Sequence, residues 1–268
     1  MIHARSQVEL GNERPYTHKT VIIDAHVHIL TGEPTHLERV LAAADRAGID
    51  KLCISSLSRT WSEFPTSAQI EEAAQDVLDA CAAYSDRFVG GVYASADHVD
   101  TSLGMMERCI ANGTCGFVKL WVSQYADDPR LDPIYERAAA LDAPVLAHSW
   151  IKATGNMTRE STCHNVANAA RRHPALKIWL AHFSGRWEET ARIVRDVPNV
   201  CMDLSGGEPE DGIVECLLRH VGADRLFFGS DAPGRSFAVQ MTKVTSAAIN
   251  ETERRLILGD NIRRWLHV

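Results

Sequence analysis

Eight short apolar runs punctuate this chain: "VIIDAH" (21–26), "KLCISS" (51–56), "FVGGVY" (88–93), "GFVKLW" (116–121), "PVLAHS" (144–149), "KIWLAH" (177–182), "VCMDLS" (200–205) and "RLFFGSD" (225–231). They recur roughly every 30 residues, the length of one strand–helix unit. Each is followed by a turn and an amphipathic stretch. In "THLERVLAAADRAG" (35–48), Leu37, Val40, Leu41 and Ala44 form one stripe and Gly48 supplies a C-terminal stop. "AQIEEAAQDVLDACAAY" (68–84) repeats the pattern, and "DPIYERAAALDAP" (132–144) opens with Asp before Pro, a helix-start signature. Continuous Val/Ile/Leu/Phe runs separated by helices mean a parallel sheet covered on its outer face. Eight such units in 268 residues, with no GxGxxG after the first run, predict a closed (β/α)₈ TIM barrel rather than an open doubly wound sheet. Helices over about 236–248 and 251–266 complete the ring. No composition break separates a second domain, so a single α/β barrel domain is expected over 21–268, preceded by a short polar arm over 1–20.

The formal charge of −7 argues against nucleic acid or an anionic membrane as the main partner and leaves a small-molecule substrate. Seven cysteines (Cys53, Cys81, Cys109, Cys115, Cys163, Cys201 and Cys216) are an odd number without a CxxC pair, and read as buried thiols in a reducing compartment. The first twenty residues hold no apolar stretch of signal-peptide length, and no later segment approaches a membrane span. A cytoplasmic location is the expectation. Homodimers are common for such barrels, and the sequence leaves a homodimer open as one assembly.

The polar residues within the runs are the informative ones. In "VIIDAHVHIL" (21–30) alternation places Asp24, His26 and His28 on one face of a strand and Ala25, Val27 and Ile29 on the other. An imidazole in such a position needs something to offset its desolvation, either a hydrogen-bonded partner or a divalent metal. Lys119 lies near the end of the fourth run, His148 ends the fifth, His182 the sixth, and Asp231 the eighth. In a (β/α)₈ barrel the C-terminal strand ends all open on the catalytic face. Six metal-capable side chains from five strands therefore converge there, a pattern that packing does not explain.

With "DAHVH", "PVLAHS", "LAHFSG" and "FGSDAP" in that order at strand ends, the chain resembles the metal-dependent amidohydrolase superfamily, in its branch of small amidohydrolase-related (amidohydrolase 2) barrels, over about residues 20 to 268. The resemblance implies that His26, His28 and His148 bind the metal, and that Asp231 is an axial ligand that also handles protons. His182 would act as acid/base or orient the substrate in mononuclear relatives, and would ligate a second ion in binuclear ones. Lys119 has three readings: a carboxylated lysine bridging two ions, a plain ammonium that binds an anionic substrate group, or a salt-bridged lysine at the rim. One ion is the more usual count in this branch. The nitrogen and carboxylate donors suit zinc, with manganese, iron or cobalt as alternatives.

Such an ion would activate water at neutral pH and polarise a carbonyl. Asp231 would take the proton of the attacking water, with His182 assisting. Asp24, one pleat deeper, reads as a group supporting the ligands. Substrate choice falls to the loops "SLSRTWSEFPT", "WIKATGNMTRES", "GGEPED" and "APGRS". Arg59, Lys152, Arg159 and Arg235 are candidates to hold a carboxylate, and Trp61, Trp121 and Trp150 to supply apolar walls. The leading expectation is a hydrolase that cleaves a small ester, lactone or amide bond in a carboxylate-bearing metabolite. A lactonase is one form of it. The alternative is a metal-dependent decarboxylase of an aromatic or unsaturated acid. A catalytically silent, metal-stabilised barrel is the third reading, disfavoured because Asp231 is a proton-handling group that a purely structural site does not need.

Overall fold

The structure, a computed structural model, describes residues 20–268, so the expected N-terminal arm lies outside the described residues except for Thr20. Eight parallel strands follow one another around a sheet in chain order: β1 (Ile23–His28), β2 (Lys51–Ser55), β3 (Phe88–Ala94), β4 (Cys115–Leu120), β5 (Val145–Ala147), β6 (Ile178–Leu180), β7 (Val200–Asp203) and β8 (Leu226–Phe227). Each anticipated run supplies one strand. The chain is a TIM barrel, as expected.

Helices α1 (Pro34–Arg46), α2 (Ser67–Ala83), α3 (Val99–Met106), α4 (Asp132–Ala140), α5 (Cys163–Arg172), α6 (Trp187–Arg195), α7 (Ile213–Val221) and α8 (Phe237–Thr245) cover the outside. The helix expected over 251–266 is divided into α9 (Glu251–Arg255) and α10 (Asn261–Leu266) by a π turn over Leu256–Asp260. The widened turn has a local cause. Its Ile257 carbonyl accepts from Phe228 N–H just beyond β8, at 2.8 Å. Its Gly259 lies so close to the Val21 carbonyl that an added Cβ would sit 2.1 Å from that oxygen.

The barrel closes without a long eighth strand. Ala25 N–H donates to Phe228 O (2.9 Å), Asp231 N–H to His26 O (2.7 Å) and His28 N–H to Ala232 O (2.7 Å). The seam between the last and first strands therefore runs through the residues that carry His26, His28 and Asp231.

Two apolar layers hold the barrel. Val27, Ile54, Val118, Leu180 and Met202 pack outward against the helices, while Ile23, Ala25, Cys53, Phe117, Leu146, Trp179, Cys201 and Phe227 fill the interior. Trp179 meets Phe117 at a tilt and Phe227 edge-on, each with ring centroids 5.5 Å apart, and Trp265 meets Phe227 at 5.2 Å. The alternation read from "VIIDAHVHIL" needs one correction. Pairing of β1 with β2 shifts register between Asp24 and Val27, and Ala25 joins Ile23 in the interior while Val27 and Ile29 face the helices. The irregularity separates Asp24 from the histidine pair. Its Oδ1 accepts from His26 N–H (3.0 Å) and Ser230 N–H (2.9 Å), so it buttresses the seam.

Candidate metal centre

The site is built at the C-terminal ends of the strands, one residue pair above the interior apolar layer. His26 and His28, both buried, present Nε2 atoms to each other 3.2 Å apart. Each ring is held by its other nitrogen. His26 Nδ1 lies 2.9 Å from Asp203 Oδ2 and 3.0 Å from Ser205 Oγ, and His28 Nδ1 lies 3.1 Å from Ser55 Oγ. An ionised carboxylate only accepts, so Asp203 takes the Nδ1–H of His26 and leaves the Nε2 lone pair facing the cluster. Asp231 Oδ1 stands 3.6 Å from His28 Nε2 and 3.9 Å from His26 Nε2. Burial, reinforced by the Lys119 charge, holds both imidazoles well below their ordinary range and hence neutral. Burial raises the Asp231 carboxyl to about 7 against the pull of Lys119.

Two neutral imidazole nitrogens and a carboxylate oxygen converging on one point fit a divalent ion of the zinc or manganese type. A second group of donors within the same reach, His26, His182 and Asp203, is of a different kind. Asp203 Oδ2 already binds His26 and Trp179 Nε1 (2.9 Å), and its Oδ1 accepts from His182 N–H (2.9 Å), Ser205 N–H (3.0 Å) and the Ser205 hydroxyl. A carboxylate with both oxygens filled is a hydrogen-bonded support, not an open ligand.

His182 stacks on His26 with centroids 4.7 Å apart, and its Nδ1 lies 2.9 Å from Ser205 Oγ. The chain turns sharply to place it: His182, Phe183 and Ser184 have φ of 62°, 37° and 56°. Asp231 shares the left-handed conformation, at φ 65°. Non-glycine residues adopt it at a cost of about 1–3 kcal/mol each, and such strain concentrates at functional sites. Gly206 makes room for the arrangement, since a Cβ there would lie 2.6 Å from His182 Nδ1 and 2.9 Å from the Trp150 ring.

Lys119, fully buried, extends from β4 so that Nζ lies 3.0 Å from His26 Nε2. Burial brings its pKa down to about 8, while the negative charges of Asp231 and Asp203 pull it upward. His148 stands beside the cluster, 5.1 Å from His182 between ring centroids, but does not join the tight group of His26, His28 and Asp231. Its Nε2 is engaged by Glu160 Oε1 at 2.9 Å, leaving Nδ1 as the nitrogen able to ligate. Burial alone would raise Glu160, but bonds from His148, Lys152 Nζ (2.8 Å) and Met157 N–H (2.8 Å) outweigh it and hold the carboxyl down to about 2.

Indoles flank the centre. Trp61 meets His28 edge-on at 5.3 Å and Trp121 at 6.1 Å, and Trp150 lies 5.1 Å from His182. Two of the candidate arginines are engaged by other groups. Arg59 is bound to Asp76 on α2 (2.8 Å), and Arg159 is taken by Asp97 (3.2 Å), Ser123 O (3.0 Å) and the face of Phe64. Arg235 is exposed beside α8. Sequence reasoning missed Asp203 and Glu160. The first carried a readable signal, a carboxylate ending the run "VCMDLS".

The family model for amidohydrolases matches residues 23–268. The chain belongs to the amidohydrolase family. No curated protein matches it by sequence. Solved structures with the same fold include 2,6-dihydroxybenzoate decarboxylase from Rhizobium, 16% identical with a TM-score of 0.74 over 93% of this chain and 99% of that one. 5-Carboxyvanillate decarboxylase from Novosphingobium aromaticivorans, complexed with manganese and 4-hydroxy-3-methoxy-5-nitrobenzoic acid, is 15% identical, TM-score 0.74, over 96% and 98%. 4-Oxalomesaconate hydratase from Rhodopseudomonas palustris is 15% identical, TM-score 0.69, over 92% and 96%. No helix among the described residues is long and apolar enough to cross a membrane.

Proposed function

We propose that this amidohydrolase-family chain is a divalent-metal-dependent decarboxylase of a small aromatic or unsaturated carboxylic acid. The observation that carries this reading is the placement of indoles on both sides of the histidine cluster, Trp61 beside His28 and itself met by Trp121, and Trp150 beside His182. Flat apolar walls over polar donors suit a ring that bears a carboxylate. Sequence reasoning alone ranks hydrolysis first; these walls, and the decarboxylases among proteins of the same fold, favour the other order.

An ion held by His26, His28 and Asp231, with His148 turned in through Nδ1, would supply a Lewis acid that anchors and polarises the substrate's oxygens. Lys119 in its ammonium form would neutralise a substrate carboxylate. Asp231, within 3.9 Å of both Nε2 atoms, would hand a proton to the ring carbon bearing the carboxylate. The bond from that carbon to the carboxylate then breaks, its electron pair restores the ring, CO₂ leaves, and solvent returns the proton to Asp231. His182, fixed by Ser205 and stacked on His26, would orient the substrate.

Hydrolysis of a lactone, ester or amide is the second reading, favoured by Asp231 standing within 3.9 Å of both Nε2 atoms, where a base for water is needed. Incubation of the Mn²⁺- or Zn²⁺-loaded protein with one panel of hydroxybenzoates and one of lactones separates the two. CO₂ release without ring opening is the expected result. Acid release from lactones with no CO₂ from any benzoate would overturn the proposal.

A further inference from the structure

A groove of about 540 Å³ lies between α1 and the start of α8. Its apolar floor is made by Val40, Ala43, Ala47 and Phe237, and three arginines, Arg39, Arg46 and Arg235, stand around it. Many arginines of this acidic chain are matched with carboxylates, as in Arg87–Asp45, Arg130–Asp128 and Arg137–Glu107. These three are not. Arg39 and Arg46 have no hydrogen-bond or ion-pair partner among the described residues, and Arg235 reaches only the carbonyl of its neighbour Gly234 (3.1 Å). Arg39 and Arg46 are seven residues apart on α1, two turns along one face and about 10 Å apart along the axis. The N-terminus of α8, capped by Ser236, adds its partial positive charge on the opposite wall.

We propose that this groove is a second binding site, taking a small amphipathic anion: a carboxylate head on a short apolar body. The volume is that of an ordinary small-molecule pocket. Guanidinium groups hold carboxylates in bidentate fashion, and three of them without a carboxylate partner gathered around one apolar groove point to a ligand that brings the missing negative charge. The apolar floor selects against fully hydrated inorganic anions. The groove is also distinct from the histidine cluster, because none of His26, His28, His182 and Asp231 lines it.

Isothermal titration calorimetry of the full chain with octanoate tests this, with acetate (head without body) and octan-1-ol (body without head) as comparison arms. Octanoate is expected to bind at least tenfold more tightly than either. The double variant Arg39→Ala/Arg46→Ala, whose exposed side chains support no packing, is expected to keep its circular-dichroism spectrum and weaken octanoate at least tenfold. Equal octanoate affinity in the variant would place the ligand elsewhere and overturn the proposal, as would octanol binding as well as octanoate. A dimer seen by analytical ultracentrifugation without octanoate, and abolished in the variant, would assign the groove to a second copy of the chain and overturn it too.

Discussion

Two layers of the same barrel lie two residues apart along the same strands, and they are opposite in character. Phe117 is followed inward by Lys119 on β4, and Cys201 by Asp203 on β7. The lower layer is a packed apolar plug around Phe117, Trp179 and Phe227. The upper one holds neutral imidazoles, a lysine and two carboxylates, nearly all withdrawn from water. Identical backbone positions thus serve two ends. Below, burial stabilises; above, burial is a cost that tunes protonation. The polar layer is tolerable because Asp203, Ser205 and Ser55 satisfy the nitrogens that face away from the cluster.

The contrast can be broken or sharpened by substitution. The largest effect is expected from Asp231→Asn, which should lower turnover on the substrate identified above by about 10²–10⁴-fold while the melting temperature stays close to wild type. A variant that keeps full rate removes the proton role. In the lower layer, Phe117→Ala should destabilise the fold by about 3–5 kcal/mol in urea unfolding, with metal affinity of the folded fraction unchanged. If metal affinity falls as far as stability, the layers are not separable.

Glu160 gives the pH test. Its folded pKa is lowered from 4.5 to about 2, so the unfolded chain binds the proton first as pH falls. The stabilisation is fully present above 4.5 and drains away toward 2, amounting to at most about 3 kcal/mol. Wild type should therefore lose stability faster than Glu160→Gln across that window in urea melts; parallel curves would refute the assignment. Asp203→Asn should weaken Mn²⁺ binding by about 10–100-fold in calorimetry, because the His26 tautomer loses its anchor. The smallest change is expected from Lys119→Met. Removing a buried cation at nearly constant volume should leave the metal-free protein as stable as before or about 1 kcal/mol more so, even as activity is lost. A marked loss of stability would mean that the lysine is structural.

The barrel was legible because its signals are local: apolar runs, N-caps and a regular spacing. His26, His28 and Asp231 were legible because strand ends in this architecture share a face. What escaped depends on contacts across the chain. Glu160 sits in a loop whose path no periodicity describes, and it matters only because that loop folds back on His148. Asp203 lies 177 residues from His26, and nothing in "VCMDLS" tells that its two oxygens gather five donors. The register shift in β1, beside which Asp24 bonds to Ser230, is likewise invisible to an alternation rule. Arg59 and Arg159 were plausible anion holders by type, but each found a nearer carboxylate.

The ring of strands is fastened where Asp231 N–H meets His26 O and His28 N–H meets Ala232 O. An ion gripped by side chains from both sides of that join would act as a clasp, linking the chain's first strand to its last over more than 200 intervening residues. Loading the metal would then suppress local opening at the join more than anywhere else in the barrel, and amides of residues 25–28 would show it first in hydrogen exchange.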